Sequence, residues 1–361
     1  MNVPKIRFPD FSDDYEIKEI ADITYNISSG KISKQLEDGQ YNVYGSMGII
    51  GKSNFYDYTG EKVLVARVGA NAGSVNKINE NCCISDNTLV LEPKCILNDY
   101  LYYSLSHYNP KKLIFGSGQP LVTGGQLKKI KLGIPKKEEQ TKVSNFLSLL
   151  DKKIELQLKK IEDLKLFKLS LREELFYMFP TDNKKLSEIL IKWNKKNKAN
   201  KYSYVESVSN KFGFIAQNEQ FEDRNVASND TSNYYVIEKG VFAYNPSRLN
   251  VGSLALKQND KISLVSPLYE CFTTNQNQDF MLEWFQSKEF RRGTFSKYEG
   301  GVRNTLNFNN LSSIEINLPS IESQNKIVKV LSCYNKLIYL ELAKLNKLQE
   351  LKRGLMQQLF V

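Results

Sequence analysis

PKKEEQTKVSNFLSLLDKKIELQLKKIEDLKLFKLSLREELF (residues 135–176) is nearly repeated as PSIESQNKIVKVLSCYNKLIYLELAKLNKLQELKRGLMQQLF (residues 319–360). A shift of 184 residues aligns the two segments without a gap, and 16 of 42 positions are identical. Two copies are too few for a solenoid, which needs about three or more stacked repeats. The duplication therefore predicts two similar domains in one chain, related by a pseudo-two-fold axis.

Each copy predicts one long helix. It begins with a proline and acidic residues, as helix starts do, and continues with apolar residues in a seven-residue repeat. The repeat forms a coiled-coil seam, which polar residues interrupt at the same two places in both copies. The seam positions are Leu147, Leu150, Ile154, Gln157, Ile161, Leu164, Lys168, Leu171 and Leu175 in the first copy, and Leu331, Tyr334, Ile338, Glu341, Leu345, Leu348, Lys352, Leu355 and Leu359 in the second.

The polar seam positions predict how the helices pair. A parallel, in-register pair would place Lys168 against Lys352, and like charges in a seam are costly. An antiparallel pair centred between residues 162 and 163 instead places Lys168 opposite Glu341 and Gln157 opposite Lys352. We therefore predict an intramolecular antiparallel coiled coil in which these four residues fix the register. The alternative is that each helix packs only on its own domain, with its polar positions in water.

The segments before the two helices are also related, although more loosely. Asn71–Ser74 and Asn250–Ser253 share the pattern Asn-x-Gly-Ser, and the segments 99–105 and 279–285 are both apolar enough for a short helix. The residues just before each proline alternate like a strand that runs into the helix. The chain is thus predicted to be α+β, with mixed α/β domains at 1–134 and 181–318 and helical spacers at 135–180 and 319–361.

Composition excludes several classes of protein. A chain of 361 residues with 41% hydrophobic residues predicts two or more folded domains. No run of about 18 apolar residues exists, and the N-terminus has no apolar segment, so neither a membrane span nor a secretory signal is expected. The five cysteines show no Cys-x-x-Cys spacing, which is typical of reduced thiols. These features predict a cytoplasmic protein without membrane contact.

Charge gives weaker information. The formal net charge of +10 favours a polyanionic partner. The excess is spread along the whole chain, however, with no basic tail. A lysine-rich solvated surface would explain the same number.

Motifs for catalysis or metal binding are absent from the sequence. His107 is the only histidine, which excludes most catalytic triads and zinc sites, and it is predicted to be a packing or surface residue. The segment GSMGIIGKS (45–53) is similar to a phosphate-binding loop, but it has five residues between Gly45 and Gly51 where that motif has four. A strand–turn–strand is therefore predicted there. We expect no catalytic residues and no metal ligands.

Side chains suited to contacting bases and phosphates occur in the predicted loops of both halves. Arginine, asparagine and glutamine can form paired hydrogen bonds with base edges, and lysines bind phosphates. The alternative for each such residue is an ordinary role in a turn or in solvation. The predicted DNA-binding residues are Ser46, Arg67, Asn71, Gln119, Gln126 and Lys128 in the first half, and Lys198, Asn210, Arg248, Asn250, Arg291, Arg292, Arg303 and Asn304 in the second.

Several segments together resemble a known family. They are the opening PKIRFPDFSDDYEIKEIADI, the runs VLVARVGANAGSV and NPSRLNVGS, the segment VSPLYECF and the duplicated helix with its Ile-Pro-x-x-x-Glu-Gln start. In this combination and order the chain resembles the specificity subunit of Type I restriction–modification enzymes. The likeness covers essentially the whole chain. The second copy departs slightly, with Ser323 where the first has Glu139.

The resemblance implies a recognition subunit that catalyses nothing itself. Each α/β domain would read one half of an asymmetric, bipartite site in double-stranded DNA, and the helices would set the spacing and dock two modification (methyltransferase) subunits. Restriction subunits, which carry the endonuclease and translocase, would join the complex. S-adenosylmethionine, ATP and Mg²⁺ would bind those partners and not this chain. The alternatives from the residues alone are a stand-alone nuclease or methyltransferase, and a coiled-coil scaffold with no role in DNA binding.

Overall fold

The computed structural model describes residues 3–31, 37–114, 120–210, 213–217, 230–295, 297–298 and 305–361. The chain forms two compact units. Unit 1 contains Met1–Lys160 and Glu341–Val361, and unit 2 contains Ile161–Leu340. Each unit therefore combines one α/β part with a portion of each long helix.

In each unit a series of strands is followed by short helices, one further strand and a long helix. The helices are α1 (Ile20–Ile23), α2 (Asn98–Tyr108), α3 (Gly124–Lys128), α4 (Lys137–Met178), α5 (Gln278–Trp284), α6 (Lys288–Phe295), α7 (Phe308–Ser312) and α8 (Ile321–Leu359). The strands of unit 1 are β1 (Glu16–Glu19), β2 (Thr24–Ser29), β3 (Tyr41–Gly45), β4 (Gly48–Ser53), β5 (Glu61–Ala66), β6 (Val75–Asn79), β7 (Cys82–Ile84), β8 (Thr88–Pro93) and β9 (Lys131–Ile134). Those of unit 2 are β10 (Thr181–Lys185), β11 (Leu190–Lys192), β12 (Glu206–Ser209), β13 (Gly213–Ala216), β14 (Tyr235–Ile237), β15 (Phe242–Tyr244), β16 (Leu254–Leu256), β17 (Ser263–Val265), β18 (Glu270–Thr274) and β19 (Glu315–Pro319).

A four-stranded antiparallel sheet lies at the centre of unit 1, in the order β2-β8-β5-β6. Its inner strands β5 and β8 each contain an apolar run, and Val63, Val65, Leu89 and Leu91 contribute to one buried core. The same core contains Leu359 and Phe360 from the end of the chain. The sheet, α2 and the end of α8 are thus held together by burial of apolar surface.

Unit 2 repeats this arrangement with β11-β18-β15-β16. Its core is richer in aromatic residues, and the rings of Phe242 and Phe272 on neighbouring strands stack with their centroids 5.0 Å apart. In both units a two-stranded antiparallel ladder precedes a long helix, β1 with β9 and β10 with β19. The repeated sequence therefore corresponds to a repeated fold.

Several local predictions are confirmed. The segments 99–105 and 279–285 lie in α2 and α5. Residues 41–53 form the antiparallel hairpin β3–β4 and not a phosphate loop. His107 packs on Phe360, with ring centroids 5.6 Å apart. Burial lowers the pKa of His107, and the nearby positive charge of Lys112 contributes a smaller part of this shift. All five cysteines are free.

The predicted seam is also confirmed. All eighteen seam positions of α4 and α8 are buried or half-buried. In unit 1, Lys352 forms an ion pair with Asp151, and Lys160 with Glu341 at 2.6 Å. The contacts run in opposite directions along the two helices, so the helices pair antiparallel there, as predicted.

The predicted register is wrong. Glu341 does not face Lys168; its carboxylate accepts hydrogen bonds from Gln157, at 2.6 Å, and from Lys160. The hydrogen bond from Gln157, followed by the one from Lys160, contributes most to lowering the pKa of Glu341. Lys168 forms a 2.6 Å ion pair with Glu283 in unit 2 instead, and Lys352 is paired with Asp151 rather than with Gln157. The prediction failed because it matched the polar seam residues only with one another, whereas Lys168 reaches a carboxylate on α5.

A buried glutamine near the start of each long helix joins three segments. Gln140 accepts a hydrogen bond from the backbone N–H of Leu97 (2.9 Å) and donates one to the carbonyl oxygen of Pro135 (2.9 Å). Gln324 does the same with Asn277 (3.0 Å) and Pro319 (2.9 Å). Leu97 and Asn277 are the residues just before α2 and α5, where backbone N–H groups lack helical partners. The glutamine of the duplicated motif thus fixes each short helix against its long helix.

Replacement of either glutamine by alanine should destabilise its unit. Gln140→Ala leaves a buried N–H and a buried carbonyl oxygen without partners, which costs about 1–3 kcal/mol of unfolding free energy. Gln324→Ala should cost a similar amount in unit 2. Denaturant unfolding of the whole chain measures both effects. The matched control is Gln357→Ala, at an exposed position of α8; a control as unstable as Gln140→Ala would contradict the assignment.

Candidate nucleic-acid interface

The loop at residues 66–74 is closed by two hydrogen bonds in unit 1. The N–H of Ala66 donates to the carbonyl oxygen of Ser74, and the N–H of Gly73 donates to that of Ala66, both at 2.8 Å. Gly73 has φ +80°, and a Cβ atom there would lie 2.5 Å from the backbone nitrogen of Lys111. Only glycine fits this position. The loop presents Arg67, which is half-buried, and Asn71, which is exposed.

The loop at residues 245–253 in unit 2 has a closely related backbone. The N–H of Asn245 donates to the carbonyl oxygen of Ser253 at 3.1 Å, which closes a loop of the same length. Gly252 has φ +88° at the position that corresponds to Gly73. The side chains differ: this loop carries Arg248 in its middle, where the first loop has Gly69. Two loops with a similar backbone therefore present different sets of polar side chains.

Three predicted DNA-binding residues come together in unit 2. Asn210, Arg248 and Asn250 line one surface cavity of about 480 Å³. The side-chain N–H of Asn210 donates to the carbonyl oxygen of Val251 at 3.2 Å, so the turn after β12 rests on the loop. Arg248 is exposed and also borders the neighbouring cavity with Ser247. The cavity can offer a guanidinium and two amides to a ligand that enters it.

The loop of unit 1 is supported from a different side. The N–H of Val122 donates to the carbonyl oxygen of Arg67 (2.8 Å), and Gln126 donates to that of Leu113 (3.0 Å). The side-chain oxygen Oε1 of Gln126 accepts a hydrogen bond from the N–H of Thr123 (2.8 Å), which closes a capping box at α3. Gln126 is therefore engaged in local structure, whereas Lys128 is exposed at the end of α3.

The remaining candidates are dispersed. Ser46 lies in the turn of the β3–β4 hairpin, Lys198 is exposed in a turn, and Arg291 and Arg292 are exposed on α6. Gln119, Arg303 and Asn304 lie outside the described residues. No observation tests whether any of these side chains contacts DNA, so the set stays a prediction.

Sequence reasoning missed the polar partners of the seam lysines. Asp151 on α4 pairs with Lys352, and Glu283 on α5 pairs with Lys168. Tyr103 on α2 donates a hydrogen bond to Asp151. Tyr103 and Glu283 occupy one position of the related segments 99–105 and 279–285, and Asp151 aligns with Asn335 in the duplicated helix. The residue types at these two positions differ between the two copies, and this difference is the feature of the sequence that could have indicated the polar partners.

Comparison with known proteins identifies the family. Residues 10–166 and 180–352 match the family described as the Type I restriction modification DNA specificity domain. The chain belongs to this family. The two matched ranges contain the 66–74 loop and the 245–253 loop, respectively, so each loop lies in its own match to the specificity domain.

Two curated relatives of this family are type I specificity subunits. The chain is 30% identical over 145 residues to a putative type I specificity subunit of Mycoplasma pneumoniae, covering 38% of this chain and 47% of that protein. It is 27% identical over 128 residues to the specificity subunit of the EcoprrI type I restriction enzyme of Escherichia coli, covering 35% of this chain and 32% of that protein. The aligned regions thus span less than half of either relative.

Solved structures show the same fold along almost the whole chain. A crystal structure of a type I restriction–modification S subunit from M. genitalium superposes with a TM-score of 0.60 at 15% identity, covering 99% of both chains. A chain from a study of complex assembly and conformational transition of the type I R-M system gives 0.57 at 12% identity, covering 95% of this chain and 96% of that chain. The predicted α+β architecture with two long helices is therefore confirmed. Among the residues described above, no helix is both long and apolar enough to cross a membrane.

Alanine at the two loop glycines should have unequal effects. Gly252→Ala places a Cβ in ordinary contact, 3.7 Å from Asn210, and incurs only the left-handed backbone penalty of about 1–2 kcal/mol. Gly73→Ala adds a clash with the backbone of Lys111, so it should reduce the free energy of unfolding considerably more. Denaturant unfolding measures both variants. Gly125→Ala in α3, where the Cβ would meet open space, is the control; equal losses for Gly73→Ala and Gly252→Ala would contradict the clash.

Proposed function

We propose that this chain is the DNA-sequence specificity subunit of a Type I restriction–modification complex. Each α/β domain reads one half of an asymmetric, bipartite site in double-stranded DNA. The observation that carries the proposal is the pair of loops, 66–74 and 245–253, which share a backbone frame and differ in their side chains. Similar frames suit one kind of ligand, and different side chains suit two different sequences.

The chemistry of these loops agrees with reading base edges. An arginine forms a bidentate contact with guanine O6 and N7, and an asparagine forms one with adenine N6 and N7. Arg248 and Asn250 are both exposed and border one cavity, together with Asn210. The first loop offers the same two groups: Asn71 is at the position of Asn250, whereas Arg67 is at a different position from Arg248. The net charge of +10 adds a general attraction to phosphates.

The chain acts as a recognition subunit and leaves catalysis to its partners. Two modification subunits bind S-adenosylmethionine and methylate adenine, and restriction subunits bind ATP and Mg²⁺ and cleave DNA. The complex works in the cytoplasm, where its DNA substrate is located. This division of labour fits a sequence with one histidine that packs against Phe360.

The long helices serve as a spacer between the two readers. α4 has 42 residues, which gives about 63 Å at about 1.5 Å per residue. A rigid helix of that length favours a fixed distance between half-sites, since a flexible linker would allow a range of distances.

Exposed apolar residues on the same helices support docking of two identical partners. Leu156 on α4 is 58% exposed, and its counterpart in the second copy, Leu340 on α8, is 54% exposed. Phe167 and its counterpart Leu351 are 53% and 54% exposed. Apolar side chains that stay in water at the same positions of both copies are typical of a protein interface. One copy of the modification subunit would contact Leu156, and a second copy would contact Leu340.

Substitution of the loop arginines should alter one half of the recognition sequence at a time. Arg248→Ala removes the guanidinium from the second loop and should relax one half-site by about 5- to 150-fold, because a bidentate contact contributes about 1–3 kcal/mol of discrimination. Arg67→Ala should relax the other half only. Sequencing of methylated adenines in a host that expresses the complex with each variant gives the motif directly.

The control for this experiment is Arg353→Ala, an exposed arginine on α8, which should leave the motif unchanged. A motif that both loop variants leave intact would show that these loops do not read bases. A complete complex that binds DNA without any sequence preference would overturn the specificity function itself and favour a scaffold.

Charges introduced at the matched apolar positions should each remove one modification subunit. Leu156→Glu or Leu340→Glu should reduce the bound modification subunits from two to one, and the double variant should bind none, because a carboxylate buried in an apolar interface is costly. Native mass spectrometry of the co-expressed proteins counts the subunits. Leu166→Glu is the matched control, since Leu166 is 57% exposed but its counterpart is Glu350. Full occupancy in the double variant would refute this docking surface.

A further inference from the structure

The two seam lysines occupy the same position of the duplicated helix but are held by differently placed acids. Lys352 lies on α8 in unit 1, and Lys168 lies on α4 in unit 2. In each unit the lysine, one residue of the other long helix and one residue of the short helix, α2 or α5, are joined through a single carboxylate. We call each set of three residues a polar node.

The node of unit 1 consists of Lys352, Asp151 and Tyr103. Lys352 forms an ion pair with Asp151, and the hydroxyl of Tyr103 donates a hydrogen bond to the same carboxylate at 2.8 Å. Burial and the bond to Asp151 raise the pKa of Tyr103, so its hydroxyl remains a donor. The acid of this node lies on the long helix. Lys77, which is near the Tyr103 ring, has its own acid in Asp99.

The node of unit 2 consists of Lys168, Asn335 and Glu283. Lys168 forms an ion pair with Glu283 at 2.6 Å, and the side-chain N–H of Asn335 donates to the same carboxylate at 3.2 Å. Arg172 approaches the other oxygen of Glu283 at 3.7 Å. The acid of this node lies on the short helix, and the long helix supplies the donor.

The short helices are seated alike, so the nodes can be compared position by position. Gln140 binds the residue before α2 as Gln324 binds the residue before α5. The ring centroids of Tyr100 and Phe360 are 5.4 Å apart, and those of Phe280 and Phe176 are 5.3 Å apart. These contacts join equivalent positions, which identifies Tyr103 with Glu283 and Asp151 with Asn335.

We propose that the polar nodes determine which α/β domain each helix pair accepts. A long helix with an acid at the node accepts a short helix with a hydroxyl, and a long helix with an amide accepts a short helix with an acid. This goes beyond the proposed function, because it concerns how domains are matched to helices and not how DNA is read.

Mismatched nodes are unfavourable for different reasons. A glutamate at position 103 removes the hydroxyl that donates a hydrogen bond to Asp151. It also places a second carboxylate beside Asp151, and like charges at such a distance repel. A tyrosine at position 283 beside Asn335 leaves Lys168 and Arg172 without the carboxylate that they share. Each node therefore disfavours the short helix of the other unit.

The test compares glutamate with glutamine at position 103 in two backgrounds. The full-length variants are Tyr103→Glu and Tyr103→Gln, each with Asp151 and with Asp151→Asn. Glutamine has the shape of glutamate without its charge, so the loss of the tyrosine ring cancels in the comparison. We expect the glutamate variant to melt about 2–4 °C below the glutamine variant beside Asp151 and about 2–4 °C above it in the Asp151→Asn background. This reversal of sign is the result that supports the node.

A difference of the same sign in both backgrounds would overturn the proposal, because a merely structural role of Tyr103 cannot make the order depend on Asp151. Failure of Tyr103→Glu with Asp151→Asn to fold, when Tyr103→Gln folds, would overturn it as well.

The second node gives an independent arm that does not depend on Tyr103. Glu283→Tyr should lower the melting temperature of the full chain, and adding Asn335→Asp should restore a large part of the loss, because it recreates the arrangement of unit 1. The matched control adds Asn335→Ser, which offers no carboxylate and should restore nothing. Rescue by aspartate but not by serine supports the node, and equal effects of the two would contradict it. DNA binding is not part of either readout, so the proposed function is tested separately.

Discussion

The amide of one glutamine at the start of each long helix controls the geometry of the whole unit. Gln140 and Gln324 are buried, and each binds a backbone carbonyl of its own strand–helix turn and a backbone N–H in front of a short helix. An amide serves here because it has both a donor and an acceptor, and a charged residue has only one kind. The strand–helix turn, the short helix and the long helix are therefore joined at one point in each unit.

Local structure could be predicted from the sequence where one segment decides its own conformation. The β3–β4 hairpin, α2, α5 and the seam of the long helices follow from alternation, from seven-residue periodicity and from glycine positions. The register could not be predicted, because Lys168 and Lys352 find their acids outside the seam, on α5 in one case and at Asp151 in the other. Tertiary contacts of this kind leave no trace in the periodicity of a single helix.

The candidate site was predictable in a similar, partial way. The shared Asn-x-Gly-Ser pattern indicated that residues 71–74 and 250–253 form equivalent turns, because glycine at the third position tolerates the left-handed backbone. The sequence could not show that Asn210 joins Arg248 and Asn250, since β12 and the loop are separated by about forty residues. Nor could it show that Gln126 is already engaged by Thr123 and Leu113.

Gln157 and Glu341 occupy the same position of the repeated helix, and they face each other. In an association of two identical copies, like would meet like at this point. Two glutamates would bring a pair of carboxylates together, whereas a glutamine and a glutamate form a hydrogen bond. The contact between Gln157 and Glu341 thus favours pairing of α8 with α4 over pairing of two α8 helices in the same register.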